Sequence, residues 1–398
     1  MKDFPSLSLI NKFLLCFITD FPLFSIVKPD LINCCRCALP GKVFLLGFFL
    51  TLSFSMSAQK QTFDWLLIYY MPYDNNLSPL ATTILNQFRI DHPNKKIGVT
   101  LQTDLAGPGG MTRYAINDLI DSIKMDDEYS GRSQSLDSYL AWVSSKFKAR
   151  HYCIVLLNHG GTMNQYGLDE YPEENWLTIS SVAESIKKFN AQVGISRLDL
   201  LFEQVCARAT LENLYEFRGI SHFTLASQTL VPAPGYYYTS LVKNLTSQTA
   251  STGSELADLI VKNERSDMYY SYSLVDNSKW PGWSRRLNNY IKTIETAGVR
   301  IDAEKLKIIS YWHDLYWDFA ATLKATQSSA PAARESRRLI SYTTNELLCK
   351  VYVSSTDTRM VGYSGLSIRS PFAPAESGDL AIKNLNSFNS WLEALRRK

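Results

Sequence analysis

The sequence predicts an α/β protein: a mostly parallel central sheet with helices on both faces, followed by an appended, mostly helical C-terminal region. Three observations lead there. Short apolar, β-rich runs alternate with stretches of helical spacing from Phe63 to about residue 245, and strands joined through helices run parallel and are covered on both faces. The strand-like runs are apolar along their length, as strands buried on two sides are. The composition, 45% apolar and 20% charged over 398 residues, is that of a globular chain able to build a large core.

Taken in order, residues 63–71 (FDWLLIYYM) form a buried strand ended by Pro72. The turn PYDNNLSP supplies Asp74, Asn75, Asn76 and Ser78 as turn formers and helix caps, and a helix follows over 79–88. Residues 96–104 make a second strand, stopped by AGPGG, and 111–117 a further short one. Leu136, Tyr139, Leu140, Val143 and Phe147 lie at helical spacing. Residues 151–161 (HYCIVLLNHGG) are a third buried strand broken at two glycines. TISSVAESIKKFN reads as a helix with a capping-box spacing from Ser181 to Glu184. Residues 197–206 (RLDLLFEQVC) form a fourth buried strand, 207–219 a helix and 222–228 a fifth strand. Helices are then expected over 256–265, 285–297 and 315–326, and strands over 349–355 and 366–371.

The first 58 residues are of another kind. Residues 43–57 (VFLLGFFLTLSFSMS) are uncharged, follow Lys42 and end at Ser57-Ala58, the layout of an export signal. The run is short of the roughly 20 apolar residues of a membrane span. Residues 1–58 are therefore assigned to an export region (1–40 reading as an over-called start), 59–245 to the α/β core, and 246–398 to a C-terminal subdomain whose last strands join the core. The expected location is periplasmic, cell-surface or secreted. Of seven cysteines, Cys16, Cys34, Cys35 and Cys37 lie in the export region, with no second ligand pair at zinc spacing. A net charge of +3 argues against charge-driven nucleic-acid binding. The chain is expected to be a monomer that touches membrane only through its signal region.

In parallel sheets the functional groups gather beyond the carboxyl ends of the strands. This singles out His159 and Cys206, the last polar groups at two buried strand ends. A facing imidazole takes the thiol's proton and makes it a nucleophile. Gly160 and Gly161 let the backbone turn and approach a substrate, and the Gly160 and Cys206 amides are placed to hold an oxyanion. A helix directly after Cys206 would favour the thiolate. Cys153 and Cys349 read as small buried hydrophobes.

DWLLIYYMPYDNNLSP, LLNHGG, LDLLFEQVCARATLEN, LASQTLVPAPGYYY and GYSGLSIRSP, in this order, resemble the clostripain family of cysteine peptidases, in the clan of the caspases and gingipains. The resemblance runs from about residue 63 to the C-terminus. It implies a caspase-like α/β/α sandwich in which His159 and Cys206 are the catalytic dyad, hence an exported cysteine endopeptidase whose partner is a peptide or protein substrate. Two departures bear on specificity. Gln204 stands where the family has an Asp that selects Arg or Lys, and Thr229 follows Ser227-Gln228 where a second acid is usual. A buried guanidinium without a carboxylate is costly, so an uncharged polar side chain is expected in a pocket formed by Gln204, Ser227, Thr229 and Tyr236. The resemblance also implies activation by a cut between His and Cys at a basic residue, yet residues 160–186 hold no Lys or Arg, and self-processing is not expected. The relative that names the family is calcium-dependent. Here Asp169, Glu170, Glu173 and Glu174 read as a loose solvated loop, and no cofactor is expected. The alternative function is an inactive surface protein that binds peptide or glycan through Trp280, Trp283, Trp312 and Trp317.

Overall fold

The computed structural model describes residues 60–88, 95–109, 111–116, 120–126, 129–358, 361–371 and 390–391; the export region lies outside them. In chain order come β1 (Gln61–Tyr73), α1 (Ser78–Phe88), β2 (Ile97–Leu105), β3 (Thr112–Ile116), β4 (Ile120–Lys124) and α2 (Ser133–Lys146). Next are β5 (Phe147–Leu157), β6 (Tyr166–Asp169), β7 (Asn175–Leu177), α3 (Ile179–Val193), β8 (Leu198–Gln204), α4 (Leu211–Glu216) and β9 (Ser221–Ala226). Then follow α5 (Tyr238–Asn244), α6 (Gly253–Asn263), β10 (Ser271–Asp276), α7 (Trp280–Thr296), β11 (Ile308–Tyr311) and β12 (Asp314–Asp318). The last are α8 (Phe319–Lys324), α9 (Ala330–Tyr342), β13 (Leu348–Val353) and β14 (Ser367–Arg369).

Nine strands make one sheet in the order β13-β10-β9-β8-β5-β1-β2-β3-β4. The central strands β2, β1, β5, β8 and β9 are parallel, and the outer ones antiparallel. The alternation of β1 explains the layers. Trp65, Leu67, Tyr69 and Met71 enter the core under α1, α5 and α6, while Leu66, Ile68 and Tyr70 enter the opposite one under α2 and α3. Strands β10 and β13, from beyond residue 245, extend the same sheet. A smaller sheet, β11-β12-β14, and helices α7 to α9 build a third core. The fold is thus the expected α/β sandwich with a mostly parallel sheet.

Several local expectations are corrected. The α3 capping box is Thr178 with Ser181 rather than Ser181 with Glu184. Residues 315–326 are not one helix: β12 runs to Asp318, whose side chain accepts the Ala321 N–H at 2.8 Å and caps α8. Cys349 is exposed, on the outermost strand β13, and not buried. Trp280, Trp283 and Trp317 are buried, so the aromatic binding face reduces to Trp312.

Candidate active site

Three adjacent parallel strands, β1, β5 and β8, open at one edge of the sheet. From β1 the chain passes to β2 on one side and returns to β5 on the other, and such a reversal of strand order leaves a crevice beyond the strand ends. The turn after β1 sends Asn76 into it, the turn after β5 His159, and the turn after β8 Cys206. His159, Cys206 and Gln204 line one cleft of about 360 Å³ together with Tyr73, Tyr311 and Trp312.

His159 is clamped by two buried asparagines. The Asn158 amide donates to the Pro72 and Leu168 carbonyls, and its Oδ1 accepts from Asn75 Nδ2 at 3.0 Å and from the His159 N–H. The turns after β1 and β5 are therefore locked together. His159 Nε2 then meets Asn76 Oδ1 at 2.6 Å. An amide oxygen only accepts, so the proton sits on Nε2 and Nδ1 is left for the thiol. Partial burial lowers the His159 pKa below its usual 6.5, which keeps the ring neutral with one nitrogen free to accept a proton.

Cys206 lies two residues past β8, in a tight turn where Ala207 takes φ 53°. Its Sγ accepts the Val231 N–H at 3.3 Å. No helix begins there. The helix α4 starts at Leu211, after the cap position Thr210, so the expected dipole support for the thiolate is absent, because that effect dies away within a turn.

The residue that joins the two turns escaped the sequence reading. Arg208 is 0% exposed. Its guanidinium donates to the carbonyls of Cys206 (3.2 Å), Met163 (3.0 Å), Gly161 (2.9 Å) and Thr162 (3.1 Å). Gly160 packs on it: a Cβ there would lie 2.7 Å from Arg208 Nε and 2.8 Å from the Cys206 carbonyl oxygen. Only a glycine fits between the two turns.

Tyr311, at the tip of the β11–β12 hairpin, reaches the centre of the cleft. Its hydroxyl stands near the Cys206 thiol and the Gly160 N–H, and burial first, then Cys206, raises its pKa. Beside it the Trp312 ring lies 5.6 Å from that of His159, tilted by 35°.

The residues expected to select the substrate are divided. Gln204 is in the cleft, its Oε1 taken by the Tyr237 and Tyr238 hydroxyls at 2.9 and 3.4 Å. Ser227 is buried and hydrogen-bonded to Thr229. Thr229 lines a neighbouring cavity of about 230 Å³. Tyr236 turns away, its N–H on Glu264 and its ring under Arg265. Gln228, between them, is a strut: its amide donates to Asp318, Leu366 and Ser367 and accepts the Gly365 N–H. It thereby joins two of the motifs that the sequence offered separately.

Asp169 is not on a solvated loop. It is fully buried, and one oxygen of it lies within 4.8 Å of oxygens from Asp74 and Asp104. Asp74 accepts the N–H groups of Gly107 (3.1 Å) and Tyr171 (2.8 Å), and Asp169 that of Gly131 (2.8 Å). Calcium takes six to eight oxygens. Three carboxylates, two of them engaged by amide donors, supply only part of such a shell. Burial, ahead of the neighbouring acids, pushes Asp169 up to about 7, so the cluster lowers its charge by holding a proton.

The comparisons agree with this architecture. The clostripain family profile matches residues 70–366. A secreted C11 cysteine protease from Bacteroides thetaiotaomicron, solved with an irreversible peptide inhibitor, superposes with a TM-score of 0.62 at 14% identity, covering 82% of this chain and 99% of its own. An inactive zymogen C11 protease from Parabacteroides distasonis gives 0.56 at 17%, covering 84% and 98%. A second structure of a secreted C11 cysteine protease from Bacteroides thetaiotaomicron, "iotapain", gives 0.59 at 12%, covering 84% and 99%. A search of curated proteins finds no match. With the family profile spanning most of the described sheet, the chain belongs to the clostripain family and is a cysteine-type peptidase.

Proposed function

We propose that this chain is an exported endopeptidase in which Cys206 is the nucleophile, His159 the general base and Asn76 the residue that holds the base. The reading is carried by the His159–Asn76 hydrogen bond at the mouth of the cleft that Cys206 also lines. His159 Nδ1 takes the thiol proton, and Sγ bonds to the peptide carbonyl carbon. The Gly160 N–H steadies the oxygen as it becomes an anion. The C–N bond then breaks, and the leaving amine takes the proton from His159. Water, deprotonated by the same ring, hydrolyses the thioester and restores the thiol. The apolar run at 43–57 and the secreted relatives support export.

For the residue before the cut, we read a preference for an uncharged polar side chain. The cleft presents Gln204, whose oxygen is already engaged by two tyrosine hydroxyls. Behind Gly235 stands Glu264, but its carboxylate accepts the Tyr236 and Arg265 N–H groups, and burial raises its pKa. Both effects weaken it as a partner for a guanidinium. The test is cleavage of a diverse peptide mixture by the wild-type chain and by Cys206→Ala. Cuts after neutral polar residues that vanish in the variant are expected. Cuts that survive it, or cuts predominantly after Arg and Lys, overturn the dyad or the specificity, respectively.

A further inference from the structure

We propose that the tip of the β11–β12 hairpin is a self-inhibitory plug: Tyr311 holds the place of the substrate's carbonyl oxygen, Trp312 covers the base, and peptide enters only when the tip swings out. This rests on the reading of Cys206 as nucleophile and Gly160 as oxyanion donor.

Attack requires a carbonyl oxygen on the Gly160 N–H while its carbon meets Sγ. The Tyr311 hydroxyl stands near both groups, in the cleft that Tyr311 lines with His159 and Cys206, and a carbonyl oxygen cannot enter the space it fills. Trp312 is pinned between His159 on one side and the edge of Trp176, at 5.6 Å, on the other. The tip therefore crowds both the oxyanion site and the base.

The tip is also built to move. Trp312 and His313 take φ 49° and 66°, a left-handed conformation that two-residue hairpin turns give to Asn and Gly. Bulky residues there are strained, and strain of this kind collects at switching segments. Among the described residues β11 pairs only with β12, and Ile308 is 55% exposed. Behind the strand lies the cavity of about 230 Å³, lined by Leu230, Ile308, Ser310 and Tyr311, so the tip has room to leave without disturbing β5 or β8. By contrast β12 is fixed, through Asp314 on Arg369 at 3.0 Å and its pairing with β14. The motion is confined to residues 308–313.

The test measures access to Cys206 directly. The alkylation rate of Cys206 by iodoacetamide is followed on the full chain, with the Cys206 peptide quantified by mass spectrometry to separate it from the other cysteines. The rate is taken across pH: its alkaline plateau reports access, and its midpoint reports the thiol's acidity. For the double variant Tyr311→Ala/Trp312→Ala the plateau is expected to rise by about tenfold or more, as a closed population opens. Tyr311→Phe, which keeps the ring and loses only the hydroxyl, is expected to show a smaller rise and decides the matter if the double variant does not fold. An unchanged or lower plateau in both overturns the plug. So does a fall in peptide turnover with an unchanged plateau, the mark of a tyrosine that helps the reaction. Peptide cleavage that survives Cys206→Ala would strike the parent reading instead, and the plateau is independent of it.

Discussion

Replacing Arg208 with Met keeps the length of the side chain and removes every donor. Four carbonyls, those of Cys206, Gly161, Thr162 and Met163, lose their guanidinium partner in a place water does not reach. No unpaired charge is left behind. Burial already pushes Glu203 up to about 8, with Asn213 and then Arg208 opposing it, so losing Arg208 leaves that carboxyl more firmly protonated. The cost is then that of the hydrogen bonds: four at about 1 kcal/mol net each give about 4 kcal/mol. For a chain of this size that corresponds to a fall in Tm on the order of 10 °C. Because the same bonds hold the Gly160 turn against the Cys206 turn, peptide turnover falls as well, at temperatures where the variant is folded. Thermal unfolding followed by circular dichroism, with turnover measured in parallel, checks both. A Tm within about 2 °C of wild type and normal turnover would refute the claim that Arg208 braces the two turns.

Three further outcomes are expected. Asn76→Ala lowers kcat by roughly 10- to 100-fold, part of what acid–base catalysis supplies, with KM and Tm held; a change confined to KM counts against Asn76 as the holder of His159. Gln204→Asp restores an acid in the cleft and raises the ratio of Arg to Gln cleavage in matched peptides; a ratio that does not move excludes this position from selection. The protein loses stability as pH rises. Asp169 and Glu212 are pushed up to about 7 and Glu203 to about 8, chiefly by burial. The unfolded values are about 4, so the native state binds more protons between pH 4 and 8. The stability these groups contribute is full below about 4 and is lost through 7 to 8. Tm is therefore lower at pH 8.5 than at pH 5.5, and Asp169→Asn flattens part of the slope; a Tm that climbs steadily over this range contradicts it.

The strands were legible because burial on two faces leaves a continuous apolar run, and their carboxyl ends located His159 and Cys206. What lay beyond the ends was less so. Residues 207–210 carry helix-forming alanines, but Arg208 turns inward and Thr210 is the cap position, so the helix starts late. Three consecutive tyrosines gave no sign that Tyr237 and Tyr238 would meet Gln204 while Tyr236 turned to Glu264. Asn76 looked like a turn former, and only the register of β1 against β5 brings it to His159. Asp318 was the missed signal for the border of β12 and α8, being an N-cap inside what read as one helix. The Tyr311 contact depends on a hairpin that no local pattern announced.

The Gln228 strut has a consequence in time. Its partners, Asp318, Gly365, Leu366 and Ser367, come from the last quarter of the chain, and Ala209, three residues past Cys206, receives the Ser367 N–H at 2.9 Å. As the chain is made, β1, β5 and β8 can pair long before these residues exist, but the ground under Cys206 is unfinished. The amide of Gln228 has nothing to hold, and the turn after β8 is free to wander. With Cys206 as the proposed nucleophile, competence to cut then arrives only when the last quarter of the chain has been made.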